Sequence, residues 1–416
     1  MFETKSTTIP VTKEMVKKAY RKVKGNQGAA GVDKESQETF QANLSGNLYV
    51  IWNRMSSGSY FPKPVRTVSI PKANGKKRVL GIPTVSDRIA QQVVKDYLEP
   101  RLEEQFHDNS YGYRPLKSAH QAIEAVKANV LEYAWVIDMD IKSFFDEVDH
   151  ELLMKALERH VSESWVKMYI KRWLESPSQQ SDGTLTQKEG TGTPQGGVIS
   201  PLLANLFLHY VLDKWLSGRY PGLAFVRYAD DVIIHCRSEE ETKEVLTAVR
   251  LRLEECKLRL NEEKTKVVYC QDYRRAKRKE FGSKFDFLGF SFKPRSIPSN
   301  KGGLFLSFGS AISQSAQTRI LTGWKHQNWH RRSDLTLQDI ANYINIRMRG
   351  IIRYYGKYRL WTLRGLIYHL EERLAKWVLN KYRKFKGSYE KAYRWINEMK
   401  VSYPGMFYHW TFFKPV

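Results

Sequence analysis

Cysteine is scarce: Cys236, Cys256 and Cys270 are the only three in 416 residues, and no two stand in a CxxC spacing. A disulfide framework and a zinc module are thereby excluded, and a reducing, cytosolic setting is expected. Long apolar runs are also missing. No stretch approaches the roughly 18 residues that a membrane span requires, and the opening MFETKSTTIPVTKEMVKKAY lacks the apolar core of a signal peptide. Acid is in deficit, with 44 Asp and Glu against 68 Lys and Arg, a formal charge of +24. An excess of this size points to a polyanionic partner. Internal repeats and low-complexity blocks are absent. What is present, 42% hydrophobic and 13% aromatic residues, suffices for the cores of two or three domains and offers stacking surfaces for bases.

The hydropathy pattern places elements along the chain. Residues 11–24 read as a short basic amphipathic helix with Val11, Met15, Ala19 and Val23 on one stripe, broken by the glycine-rich GNQGAAGVD at 25–33. Two β-like runs, VRTVSI and RVLGI, flank KANGKK and predict a hairpin with a cationic tip. A helix follows from Pro83 to Phe106, with a break or kink expected near Pro100. WVIDMD at 135–140 reads as a strand leading into helical segments. GTPQGGVISPLLANLFLHYVLDKWL passes from a glycine-rich loop into a long helix carrying Leu202, Leu203, Leu206, Phe207 and Tyr210. Beyond a helix over 240–256, LRLNEEKTKVVYC and FDFLGFSF are strand-like. The segment 345–416 holds 16 Lys and Arg against four Glu, half of the whole excess. Its cations alternate with Tyr354, Tyr355, Tyr358, Trp361, Trp377, Tyr382, Trp395 and Trp410, a pattern suited to phosphate backbones and bases.

The stretch VRYADDVIIH at 226–235 sets two carboxylates, Asp230 and Asp231, between runs that read as buried strands. Adjacent carboxylates at a hairpin tip repel unless a cation lies between them, and Mg²⁺ typically takes one or two protein carboxylates together with substrate phosphates. A third carboxylate from a second segment would complete a two-ion site for phosphoryl transfer. Asp140, at the end of WVIDMD, is a candidate. Asp138 lies two residues earlier on the same strand face, so spacing alone does not choose between them.

YADD at 228–231, DIKSFFD at 140–146 and GTPQGGVISPLLANLFL at 192–208 resemble the signature of reverse transcriptases, specifically the group II intron-encoded reverse transcriptase/maturase family. SIPKANGKKRVLGIPTVSDRIAQQ, FHDNSYGYRP, LNEEKTK and FLGF add to the resemblance, which extends over roughly residues 11–416. It implies an α+β right-hand polymerase, with an N-terminal extension of the fingers at 1–59, fingers and palm at 60–290, and a helical, basic thumb and maturase domain at 291–416. It selects Asp140 over Asp138 as the metal-binding partner of Asp230 and Asp231, and Phe145 as the ring beneath the incoming sugar, where bulk excludes a ribose 2′-OH. Lys72 and Arg78 match residues that grip the incoming triphosphate, with Arg66 and Lys77 as helpers. Gln195 and Gly196 match the part under the nascent base pair, Lys264 a lysine near the pyrophosphate leaving group, and FLGF the primer grip, read from the residues as a buried strand with Gly289 as a bulge. Lys266 shares the strand face of Lys264.

The implied cofactor is a pair of Mg²⁺ ions, with Mn²⁺ as an alternative. The implied partners are an RNA template, a DNA or RNA primer, dNTPs, structured intron RNA and a DNA target, with no membrane and no obligate protein partner. The chain reaches Val416 without CxxC pairs, so the zinc HNH endonuclease region that often ends the family is expected to be lacking. Two other readings are a relative free of an intron, used in DNA repair or phage defence, and a splicing cofactor that binds RNA without polymerising.

Overall fold

The computed structural model describes residues 9–71, 75, 77–187, 189–299 and 302–413. They form two compact units, one of residues 1–122 and 137–266 and one of 123–136 and 267–416. This division follows packing, whereas the expected boundaries follow functional motifs, and the two sets of limits need not coincide.

The first unit opens with the helix Lys13–Gly25, capped by Thr12, whose hydroxyl accepts from the Met15 amide. Val16, Ala19, Tyr20 and Val23 are its buried residues, so the stripe runs through Val16 and leaves Met15 half-buried. It packs on the helix Val85–Glu103. That helix runs through Pro100 to Glu103 without ending; the proline, which cannot donate to the carbonyl four residues back, falls in the last turn. The glycine-rich loop before it has a structural role. A Cβ on Gly31 would come 2.7 Å from Thr84 Cα, and the Arg88 guanidinium donates to the carbonyls of Ala29 and Pro83, so the loop clasps the start of the helix.

The expected hairpin forms from Val65–Pro71 and Lys77–Ile82, antiparallel with Ile70 opposite Arg78. Its first strand also pairs in parallel with Ser178–Gln179. In a second sheet the neighbours run, in order, Ala224–Tyr228, Asp231–Cys236 and Trp135–Met139, the last belonging to this unit from Ile137 on. Behind them the predicted long helix is interrupted: Ser200–Leu208 is α-helical, His209–Asp213 is a π-turn, and Lys214–Arg219 resumes the α-helix. Its first segment is buried on nearly every side rather than amphipathic. One-turn π segments are rare and tend to occur at functional sites.

The second unit contains a three-stranded sheet in the order Leu304–Ile312, Phe290–Pro298, Phe285–Phe287. Helices Gln314–Gln327, Leu337–Arg359, Arg364–Lys381 and Tyr389–Ser402 follow. FLGF is a tight turn and not a bulge. Phe287 pairs with Phe290, while Leu288 (φ 48°) and Gly289 (φ 80°) both take left-handed backbone, the requirement of a type I′ hairpin. A Cβ on Gly289 would lie 2.9 Å from the Tyr355 hydroxyl, and Tyr354 donates to the Leu288 carbonyl at 2.9 Å. No helix among the described residues is long and apolar enough to cross a membrane.

Candidate active site

Strands Ala224–Tyr228 and Asp231–Cys236 pair with Tyr228 opposite Asp231, leaving Ala229 and Asp230 as a two-residue turn. Ala229 has φ 57°, a conformation that costs a residue with a Cβ about 1 kcal/mol or more and tends to persist at functional sites. A buried polar network centred on Arg227 lies beneath it. Arg227, fully buried, donates Nε and Nη2 to Asp213 at 2.7 and 2.5 Å, and Nη1 to the Asn205 side-chain oxygen at 2.9 Å and the Ala229 carbonyl at 3.1 Å. The Asn205 amide in turn donates to the Gly112 carbonyl at 2.7 Å. Gly112 lies directly under the turn, and a Cβ there would collide with the Ala229 amide. Burial alone would raise the Asp213 carboxyl, but the charge of Arg227 and its hydrogen bonds outweigh that and hold it low. Asp213 belongs to the π-turn, which brings its side chain into this network.

The tip carries charges that disturb one another. Burial first, opposed by a backbone hydrogen bond and reinforced by Asp140, raises the Asp230 carboxyl. Asp231 is open to solvent on one side, yet the protein around it, then Asp230 and Asp140, push it up to about 6. Arg78 and Lys264 act on Asp230 in the opposite sense. Asp140 follows the strand Trp135–Met139 and is gripped from the LNEEKTK loop: Asn261 donates to Oδ1 at 2.8 Å, Lys264 Nζ lies 3.2 Å from both oxygens, and the Asp140 amide reaches the Thr265 hydroxyl at 3.3 Å. Lys264 is thus an ion-pair partner of Asp140. Lys266 begins the strand Lys266–Tyr269 and is exposed, and Asp138 is half-buried within its own strand.

The three carboxylates therefore feel one another's charge, but among the described residues no three acidic, His or Cys side chains converge into a metal-ligand set. The donor chemistry nevertheless suits a hard divalent cation: carboxylate oxygens only, those of Asp230 and Asp231 raised by burial first and by neighbouring acids after it.

The nucleotide-binding candidates divide. Arg78 Nε donates to the Gln195 side-chain oxygen at 2.8 Å, and the Gly81 amide to the Gln195 carbonyl at 2.7 Å. Gly196, at φ 120°, faces the Gly81 carbonyl so closely that a Cβ would collide with it. The Thr193 amide donates to the Phe145 carbonyl at 2.8 Å, tying the same loop to the aromatic pair. Phe144 is buried and Phe145 half-exposed, their rings 5.3 Å apart, which separates the core ring from the one free to meet a ligand. Gln91 supports the loop by accepting from the Val198 amide at 2.8 Å. Lys72 lies outside the described residues. Arg66 is half-buried on its strand and Lys77 is exposed.

Sequence reasoning missed Arg227, Asp213, Asn205, Gly112 and Asn261. One signal was available: a lone arginine within the buried run FVRY demands an acidic partner.

A strained hairpin presenting paired carboxylates beside a third strand-end carboxylate and a second hairpin carrying Arg78 fits a right-hand nucleic-acid polymerase. Residues 70–292 match the reverse transcriptase (RNA-dependent DNA polymerase) family, and the chain belongs to it. Protein YkfC of Escherichia coli is 36% identical over 304 residues, 62% of this chain and 78% of YkfC. The group II intron-encoded protein LtrA of Lactococcus lactis is 35% identical over 201 residues, 48% of this chain and 33% of LtrA. A putative COX1/OXI3 intron 1 protein of Saccharomyces cerevisiae is 30% identical over 204 residues, 49% of this chain and 24% of that one. The chain thus spans a third or less of these two intron-encoded relatives. A telomerase structure from Candida tropicalis superposes with a TM-score of 0.46 at 14% identity over 60% of this chain, too loosely to add to the assignment.

Proposed function

We propose that this protein extends a primer on an RNA template, joining dNTPs by displacement of pyrophosphate. The observation that carries the reading is the crowding of Asp230 and Asp231 against Asp140, with Arg78 acting on Asp230. Asp140, Asp230 and Asp231 would hold two Mg²⁺ ions, or Mn²⁺, whose charge would stabilise the attacking and departing oxygens.

The chain's own groups prepare the rest. Arg78, held by Gln195, presents a planar fork suited to triphosphate oxygens, and Lys72 is assigned beside it from the motif alone. Gly196 lets the backbone approach the nascent base pair where a side chain would intrude. Phe145 closes the sugar position against a 2′-OH. Lys264, paired with Asp140 at 3.2 Å, is assigned as the proton donor to the departing pyrophosphate; a divalent ion held by Asp140 would supply the positive charge that Lys264 provides there. Template sequence is read by base pairing, so binding by the protein falls steeply with salt.

A role in splicing and mobility of a group II intron is supported by the likeness to LtrA and by the basic, aromatic-rich helices of the second unit. Primer extension on an RNA template is the test. Asp230→Asn should lower it by a factor of about a thousand or more, the worth of several kcal/mol of charge stabilisation, while leaving primer–template binding within a few-fold. Metal-dependent extension absent from the unmutated protein would reduce it to an RNA-binding cofactor. Crosslinking in the host with sequencing of bound RNA would show whether an intron is the target.

A further inference from the structure

The strands Phe290–Pro298 and Leu304–Ile312 pair with Lys293 opposite Gly309 and Arg295 opposite Ser307. Directly opposed residues of an antiparallel pair point to the same face, as do residues two apart on one strand. One face of this hairpin therefore carries Lys293, Arg295, Ser291 and Ser307, with Gly309 leaving an opening among them. Arg359, from the end of the helix Leu337–Arg359, lies over that opening: its Nη2 is 2.8 Å from where a Gly309 Cβ would stand. Arg295 turns toward the same glycine, donating Nε to the Gly309 carbonyl at 3.1 Å and Nη2 to the Ser291 carbonyl at 3.2 Å. Both arginines are half-buried and Lys293 is exposed.

The charges do not balance. Burial, then the neighbouring Arg359, lowers the pKa of Arg295, and burial lowers that of Arg359; no acidic side chain among the described residues acts on either. Two guanidiniums drawn together in partial burial, without a carboxylate, repel each other and forgo hydration. A helix C-terminus favours one cation, but that does not account for the second arginine or for a glycine that makes room for the first. An anion presenting several acceptor oxygens resolves the arrangement, since guanidinium forks match phosphate geometry.

We propose that Lys293, Arg295 and Arg359 form a site on the second unit for one phosphodiester of a nucleic-acid backbone. It rests on the reading that the protein works on nucleic acid, and it assigns that role to three residues outside the polymerase motifs. The test is equilibrium binding of the full chain to an end-labelled RNA–DNA hybrid duplex across a KCl series, with thermal unfolding of the free protein alongside. Arg295→Gln and Arg359→Gln should each weaken binding about tenfold at low salt and flatten the dependence of log affinity on log salt by roughly one. Free of nucleic acid, both variants should unfold at the same or a higher temperature than the unmutated protein, because a like-charge pair is relieved. Gly309→Ala keeps every charge but displaces Arg359, and should weaken binding comparably.

Variants that melt earlier but bind with unchanged affinity and slope would make the arginines structural and overturn the proposal. Inorganic phosphate that raises the melting temperature of the unmutated protein but not of the variants, with hybrid affinity unchanged in all, would mean a free-anion site and overturn it as well. Binding is read without extension, so a protein that binds but does not polymerise would remove the proposed activity while leaving this site standing.

Discussion

Two sets of buried arginines teach opposite lessons. Arg227 in the first unit has no solvent exposure; four hydrogen bonds to Asp213, Asn205 and Ala229 engage it, and the Asp213 carboxylate meets its charge. Arg295 and Arg359 in the second unit are half-buried; Arg295 donates only to the carbonyls of Gly309 and Ser291, and the charge beside it is that of Arg359. A cation neutralised within its own chain is scaffold, whereas cations left unneutralised in partial burial are held for something outside it. The same contrast extends to the acids. Asp213 is paired and held low, while Asp231 is crowded by its own kind and raised to about 6. Scaffold and site are thus told apart by whether charge is resolved internally.

The sharpest way to break the contrast is to make the scaffold pair resemble the site. Asp213→Leu leaves Arg227 as an uncompensated buried charge and should cost about 3–5 kcal/mol in urea unfolding. Replacing both, with Arg227→Met, should cost clearly less than the sum of the single changes. Additive costs would mean that the two side chains act separately.

Next in size are the glycines that bring backbones together. Gly112→Ala and Gly196→Ala each force apart segments in contact, and a cost of roughly 1–3 kcal/mol is expected for each. Extension should fall further than duplex binding, since one moves the turn bearing Asp230 and the other the loop gripped by Arg78. An equal fall in both measurements would point to general unfolding instead.

These contacts also mark how far the sequence could be read. The carboxylate hairpin, the fingers hairpin and most helices were legible because their signals are local: period-two runs, a two-residue gap, apolar stripes. The residues alone left open which of Phe144 and Phe145 is core; the resemblance chose Phe145 for the sugar position, and packing buries Phe144 and leaves Phe145 half-exposed. The network under Ala229 was not legible, because Asn205 and Gly112 are 93 positions apart and a π-turn in a leucine-rich helix has no composition of its own. The pairing of Lys264 with Asp140 was not legible either, because that carboxylate lies 124 positions away. FLGF was taken for a bulge because nothing local announces that Leu288 adopts left-handed backbone.

A smaller effect concerns pH. Asp231 moves from an ordinary 3.8 to about 6 on folding. Its contribution to stability is therefore fully present below about 3.8 and is lost as pH rises through about 6. In chelator, Asp231→Asn should melt progressively later than the unmutated protein as pH climbs across that window, with the two converging below it. A gap independent of pH would show that the carboxyl is not raised. Smallest of all, Ala229→Gly should relieve the positive φ and change stability by at most about 1 kcal/mol in either direction, because the gain is offset by the freer unfolded chain.

The central claim is that Asp140, Asp230 and Asp231 together hold divalent ions, and calorimetric titration of the free protein with Mn²⁺ tests it most directly. Binding should weaken sharply in Asp140→Asn, Asp230→Asn and Asp231→Asn alike, and should fade as pH drops through about 6 while protons compete for the carboxylates. Mn²⁺ taken up equally well by all three variants would contradict it.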